Sequence, residues 1–273
     1  MIRARRKLLG GIVRARFSEA SIEEDFFSEI QAQGERPERL ERKPLAGLDV
    51  VVKTEDLRGK VPLRYALRRT AREREFDNLT WLQGKGFRVP QPLAAGALLR
   101  RGLPRRQWLI TRFVTDAIEL GRFAGEVLDT AERAAVYEAL AAEIARMHDA
   151  GFVHRDLYSR NLLVSTLPSE DRRPFLLDAW RGGPGFGLRG PAWDLGCLLS
   201  ERRMLFAEDE QAAFKESYVR LRPKLHRQAR AEAFWTKVEA ARSLQVARAE
   251  RRAGRRAEER GHARQDSNLR PSD

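Results

Sequence analysis

The stretch His154-Arg155-Asp156-Leu157-Tyr158-Ser159-Arg160-Asn161 decides how this chain folds. It lies between a helical pattern and a short apolar run. Upstream, Val136, Leu140, Ile144 and Met147 recur at helical spacing and predict a long helix from about Asp129 to Ala150-Gly151. Asp129 is its expected cap, with Glu132 three residues on, as in a capping box. Downstream, Leu162 to Val164 and Phe175 to Leu177 read as two short strands around a polar hairpin. Asp156 and Asn161 thus share one tight loop, where one can face a substrate and the other a cation.

The order His-Arg-Asp-Leu-x-x-x-Asn matches the catalytic loop of protein kinases at every fixed position. Phosphoryl transfer needs a carboxylate beside the attacking hydroxyl and oxygen ligands for magnesium, which points to Asp156 for the first role and Asn161 for the second. Asp178 closes the apolar run Phe175-Leu176-Leu177 and is the second candidate magnesium ligand. The segment there reads Asp-Ala-Trp where kinases carry Asp-Phe-Gly, so the ligand is kept and the hinge glycine is not. Lys53 ends the Val50-Val51-Val52 strand, as the phosphate-binding lysine does in Val-Ala-Ile-Lys. Glu75 shares a helix face with Leu79 and Leu82 and is the expected partner of Lys53, with Glu73 as the rival.

Arg160 follows Asp156 by four positions, as in the loop of tyrosine kinases, and is a candidate to steady the moving phosphate or a charged acceptor. His154 reads as a packed structural residue. Asp194 reads equally as the aspartate that ties the loop's backbone in kinases and as an acid favoured at a helix N-terminus. One expected part is missing. No G-x-G-x-x-G precedes Lys53, and Gly34 and Gly47 are the glycines of the stretch that would carry it. A shorter turn is therefore expected over the phosphates.

Outward from the loop, the pattern predicts an α+β, protein-kinase-like fold of two lobes. A small lobe over residues 1–113 holds an antiparallel sheet and one helix. A mainly helical lobe over 114–247 holds the loop, and a basic tail over 248–273 is expected to be disordered, with a frayed helix before Gly261. In the small lobe, strands are expected at 38–43, 48–53, 94–99 and 107–113, with a helix from Thr70 to Gly84. The first part, to about Pro44, reads as polar and poorly periodic apart from the strand at 38–43, and 57–69 as basic and irregular. Helices are expected after Pro191, around Phe214 and Tyr218, and around Phe234 and Val238.

Hydrophobic residues make up 42% of the 273, an ordinary globular share that excludes a chain disordered throughout. The net charge of +13 points to an anionic partner, or else reflects arginine-rich ends. Those ends lack interleaved aromatics, which argues against nucleic acid. The single cysteine, Cys197, allows no disulfide within the chain, and no stretch approaches the length of a membrane span. A cytoplasmic protein is the expectation.

Lys53, Glu75 with Asn78-Leu79, the segment Gly86 to Pro92, His-Arg-Asp-Leu-Tyr and the short Asp178–Asp194 interval together resemble the bacterial lipopolysaccharide-core sugar kinases, the heptose and Kdo kinase family. Tyr158 after Asp-Leu is a particular likeness to the heptose kinases. The resemblance implies ATP and magnesium. It also implies a sugar hydroxyl on a lipid-linked acceptor and action at the cytoplasmic face of the inner membrane. Basic termini such as Arg3 to Lys7 suit an anionic lipid surface. The short Asp178–Asp194 interval, without Ala-Pro-Glu, leaves little room for a peptide-docking platform. A protein kinase and a catalytically weak nucleotide-binding scaffold remain the alternatives.

Overall fold

The computed structural model describes residues 1–33, 39–59, 63, 65, 68–127, 129–167, 171–185 and 189–268. The fold is α+β, as the sequence predicts. Its first lobe contains β1 (Ile2–Leu8), β2 (Gly11–Phe17), α1 (Glu23–Gln33), β3 (Arg39–Leu45), β4 (Leu48–Asp56), α2 (Ala71–Gly84), β5 (Pro92–Arg100) and β6 (Leu103–Arg112). The six strands form one antiparallel sheet in the order β1-β2-β5-β6-β4-β3.

Register sorts the side chains between two faces. Lys53, Leu109, Ala95 and Arg16 pair across β4, β6, β5 and β2, so they share a face. On that face α2 packs Phe76, Leu79 and Leu82 against Ala95 and Leu109. The opposite face carries Val13, Phe17, Val50, Val52, Trp108 and Ile110, covered by Phe26, Phe27 and Ile30 of α1. Phe17, Phe26 and Phe27 meet edge to face there. Gly96 permits this packing, because a Cβ would lie 2.7 Å from the Arg14 carbonyl and 3.1 Å from the Phe26 ring.

Two expectations are corrected here. Residues 2–17 form a hairpin, and the lobe has a second helix, α1, instead of one. The hairpin escapes a reading for apolar runs because its α2-facing side is built of Arg3, Arg5, Arg14 and Arg16, with Val13, Ala15 and Phe17 alternating on the other. The helix of α2 starts with a reciprocal cap. Thr70 accepts the Glu73 N–H at 3.4 Å, and the Glu73 carboxylate accepts the Thr70 N–H at 2.8 Å.

The second lobe comprises β7 (Ala117–Glu119), α3 (Leu120–Glu126), α4 (Thr130–Asp149), β8 (Phe152–Val153), β9 (Leu162–Ser165), β10 (Phe175–Leu176), β11 (Gly183–Pro184), α5 (Arg189–Ser200), α6 (Arg202–Leu205), α7 (Glu208–Arg220) and α8 (Gln228–Asn268). Asp129 caps α4 by accepting the N–H groups of Ala131 and Glu132 at 2.8 and 3.0 Å. Val136, Leu140, Ile144 and Met147 are buried, as their spacing predicts. They belong to a core that also takes in α2, so the two lobes are welded along that helix.

The tail differs from expectation. Helix α8 runs unbroken through Asn268, where a frayed end and then disorder from residue 261 are read from sequence. Its anchor is apolar. Val238 and Ala241 pack on α5, where Gly196 has no room for a Cβ, which would sit 2.6 Å from that of Ala241. Residues 60–62, 64, 66 and 67 of the basic stretch 57–69, and Gly34, lie outside the described residues.

Candidate active site

The loop between β8 and β9 is held from beneath. Asp194, fully buried in α5, accepts the backbone N–H of His154 at 2.7 Å and of Arg155 at 2.6 Å. Of its two readings, the loop tie is the one the geometry realises. Behind it, His148 Nε2 lies 3.2 Å from Asp194 and Nδ1 lies 2.7 Å from the Tyr218 hydroxyl. Burial pushes the His148 pKa down, against the pull of Asp194, so the ring stays neutral. Arg155 is left-handed (φ 64°), which turns the chain sharply before Asp156.

His154 is buried, and its Nε2 donates to the Leu177 carbonyl at 2.7 Å, a structural role as expected. Asn161 donates through Nδ2 to the Asp156 carbonyl at 2.7 Å, and its own carbonyl accepts the Leu177 N–H at 2.9 Å. The loop and the strand end before Asp178 are thus stitched together twice. With Nδ2 committed to the loop, the amide oxygen is the ligand atom that Asn161 has to offer a hard cation.

Asp178 is left-handed (φ 55°) at the end of β10, one of few non-glycine residues so placed. Lys53 Nζ stands 2.8 Å from Glu75 Oε1 and 3.4 Å from Asp178 Oδ1. The Lys53–Glu75 pair is therefore formed, and the rival Glu73 is taken by Arg14 of β2 through two bonds of 2.9 and 2.8 Å. Arg72 completes the cluster, 2.6 Å from Glu75 Oε2 and 3.3 Å from Asp178 Oδ1. Burial raises the Asp178 pKa, but Lys53 and Arg72 outweigh it and hold the carboxyl below its usual range. It is ionised at neutral pH, as a metal ligand must be.

Asn78 of α2 donates to the carbonyls of Ala179 and Gly182 at 2.7 and 3.0 Å, and Arg74 donates to that of Trp180 at 3.0 Å. The segment after Asp178 is therefore pinned to α2, in keeping with the missing hinge glycine. The sequence pattern alone gives Arg72, Asn78 and Arg74 no role. Arg72 had a usable signal, because it precedes Glu75 by three positions and so shares its helix face. Gly47 makes the β3–β4 turn, six residues before Lys53, which lies within β4.

Asp156 is largely enclosed, with 12% of its side chain accessible. Arg160 Nη2 lies 3.5 Å from one of its oxygens and Arg181 Nη1 lies 3.8 Å from the other. Arg160 also stacks over the Tyr158 ring at 4.3 Å. On this side a cleft of about 530 Å³ opens, bounded by the loop, Arg181, α5 and α8. Among the described residues, no cluster of three or more His, Cys, Asp or Glu side chains gathers as for a metal. The cation-binding candidates are the one carboxylate and one amide oxygen described above, a donor set that suits magnesium held partly by phosphate and water.

A family model described as the lipopolysaccharide kinase (Kdo/WaaP) family matches residues 58–218. The chain belongs to this family. Glu75, Asp156, Asn161, Asp178 and Asp194 lie inside the matched span, Lys53 just before it and α8 after it. A 3-deoxy-D-manno-octulosonic acid kinase of Vibrio vulnificus (strain CMCP6) is 34% identical over 90 residues, 33% of this chain and 36% of the relative. The enzyme of the same name from Vibrio parahaemolyticus is 33% identical over 90 residues, with the same coverage of each. The match thus spans about a third of the length of these curated relatives. A solved structure of WaaP in complex with acyl carrier protein superposes with a TM-score of 0.58 at 21% identity, covering 84% of this chain and 99% of that one. It shows the fold. Among the described residues, no helix is long and apolar enough to cross a membrane.

Proposed function

We propose that the chain is an ATP-dependent kinase that transfers the γ-phosphate to a hydroxyl of a lipopolysaccharide inner-core sugar, Kdo or heptose. The observation that carries this reading is Lys53 bridging Glu75 and Asp178, on a strand end stitched to the loop that bears Asp156 and Asn161. Family membership supports it and narrows the acceptor to the lipopolysaccharide core.

In this reading Glu75, itself held by Arg72, fixes the Lys53 ammonium, which takes the α- and β-phosphates of ATP. Asp178 and Asn161 would hold magnesium, which would neutralise charge on the phosphates. Asp156 accepts a hydrogen bond from the acceptor hydroxyl, orients it toward the γ-phosphorus and takes its proton. Arg160 and Arg181, beside that carboxylate, steady the phosphate as it moves across. The connection from Asp178 to α5 at Arg189 is short, which favours a small or lipid-linked acceptor over a docked protein.

The hairpin β1–β2 presents Arg3 and Arg5 beside Arg68 in a basic groove. We assign it to peripheral contact with the anionic cytoplasmic face of the inner membrane, each charge adding about 1 kcal/mol near the surface.

The test is an acceptor screen with γ-labelled ATP against Kdo-bearing lipid A, free Kdo, heptose and added protein. Label in the sugar acceptors is expected. Label in protein alone would replace this reading with a protein kinase, and label nowhere would replace it with a nucleotide-binding scaffold.

A further inference from the structure

The cleft on the far side of Asp156 is walled by a helix that lies wholly beyond the family match, which ends at residue 218. Helix α8 begins as an ordinary packing element, with Val238 and Ala241 buried against α5. The same stripe then changes chemistry. Gln245, Arg248 and Arg252 follow at positions i, i+3 and i+7, on the face that closes the cleft. The change occurs where the helix reaches the catalytic loop.

Three observations fix this wall in place. The Tyr158 hydroxyl donates to Gln245 Oε1 at 2.9 Å, joining the loop to the helix. The Arg248 guanidinium lies 5.1 Å from the centre of the Trp193 ring on α5. Trp193 in turn donates to the Arg155 carbonyl at 3.2 Å. The wall is therefore indexed to the residues around Asp156 and does not hang free as a solvated tail.

Its electrostatics lean basic. Among the described residues, Arg160, Arg181, Arg248 and Arg252 line the cleft together with Arg155 of the loop, against three acids, Asp156, Glu201 and Glu250. Asp156 is already faced by Arg160 and Arg181, and Glu201 accepts the Ser159 N–H at 2.8 Å. Arg248 and Arg252 thus present more positive charge than Glu250 beside them on α8 can offset, and carboxylate or phosphate oxygens match the guanidinium fork.

We propose that Arg248 and Arg252 of α8 form an anion-recognition wall that selects acceptors carrying a carboxylate or phosphate next to the hydroxyl that Asp156 engages. This rests on the kinase reading for its purpose, but the binding it requires is independent of turnover. The two sources of anion are distinguishable, because a sugar acid loses its charge as a methyl ester and a phosphosugar loses it on dephosphorylation.

The experiment is calorimetric binding to the full chain without ATP, using Kdo, its methyl ester, heptose phosphate and heptose. Wild type, the double variant Arg248→Gln/Arg252→Gln and the outward-facing control Arg251→Gln are compared. The expected result is at least tenfold weaker binding of the charged member of one pair by the double variant. The neutral members should bind weakly to all three proteins, and the control should match wild type. Preference for Kdo over its ester names a carboxylate, and preference for heptose phosphate over heptose names a phosphate. Equal affinity for charged and neutral members in wild type, or equal loss in the control, would overturn the wall. Should wild type bind the charged sugar yet transfer no phosphate, the kinase reading fails while this one stands.

Discussion

The two sides of Asp156 are built on opposite principles. On one side, Lys53, Arg72, Glu75 and Asp178 form a compact cluster in which each charge meets an opposite one within 3.4 Å. Glu75 is almost wholly buried, and a buried carboxylate is tolerable only because two cations hold it. On the other side the cleft is open, arginine-rich and walled by exposed guanidinium groups on α8. The first arrangement fixes geometry before any ligand arrives. The second has charge left over for a ligand to satisfy. In the proposed function the contrast is what a transferase needs, with a rigid donor site of constant chemistry and an acceptor site whose specificity lies in its walls.

Breaking the closed side should have the largest effect. Asp178→Asn removes the charge that a cation and Lys53 both use, and turnover with labelled ATP should fall by about 10³-fold. Its urea midpoint should stay near that of wild type, because the side chain is partly exposed. Lys53→Met should lower turnover by about 10²-fold. Glu75 keeps Arg72 at 2.6 Å, so far-ultraviolet circular dichroism should not change. A collapse of the fold in Lys53→Met would show that the cluster is a structural ion-pair network and would erase the contrast.

The smallest effect probes how tightly the loop is seated. Burial, with Asp194 and Asp156 adding to it against the Tyr158 hydrogen bond, pushes the Cys197 thiol up to about 12. A thiol reagent at pH 8 should leave native protein unmodified over the time in which urea-unfolded protein reacts fully. Rapid native labelling would mean that α5 opens beneath the catalytic loop.

Much of the donor side is legible in the amino-acid sequence, because its residues sit at fixed spacings on one loop or directly after short apolar runs. Asp156, Asn161, Asp178 and Lys53 can each be placed that way. The choice between Glu75 and Glu73 cannot be made locally. Both are buried on α2, and what separates them is Arg14, which comes from a hairpin 59 positions earlier in the chain and claims Glu73. That hairpin is itself hard to see, since half of its pattern is arginine and the period of two shows only in Val13, Ala15 and Phe17. Helix α1 is obscured in a related way, its Phe26, Phe27 and Ile30 lying among acids. The acceptor wall is the least legible part. Arg248 and Arg252 are two arginines in a run of many, and it is tertiary packing, Ala241 against Gly196 and Gln245 against Tyr158, that sets the rotation of α8 toward the cleft.

The central claim is that Asp156 stands at the junction of these two sides and engages the acceptor hydroxyl. Its most direct test is single-turnover transfer of labelled phosphate to Kdo-bearing lipid A, comparing wild type with Asp156→Ala at saturating ATP. The account predicts a rate lower by about 10²- to 10⁴-fold, with ATP affinity within a few-fold of wild type. Equal rates would contradict it.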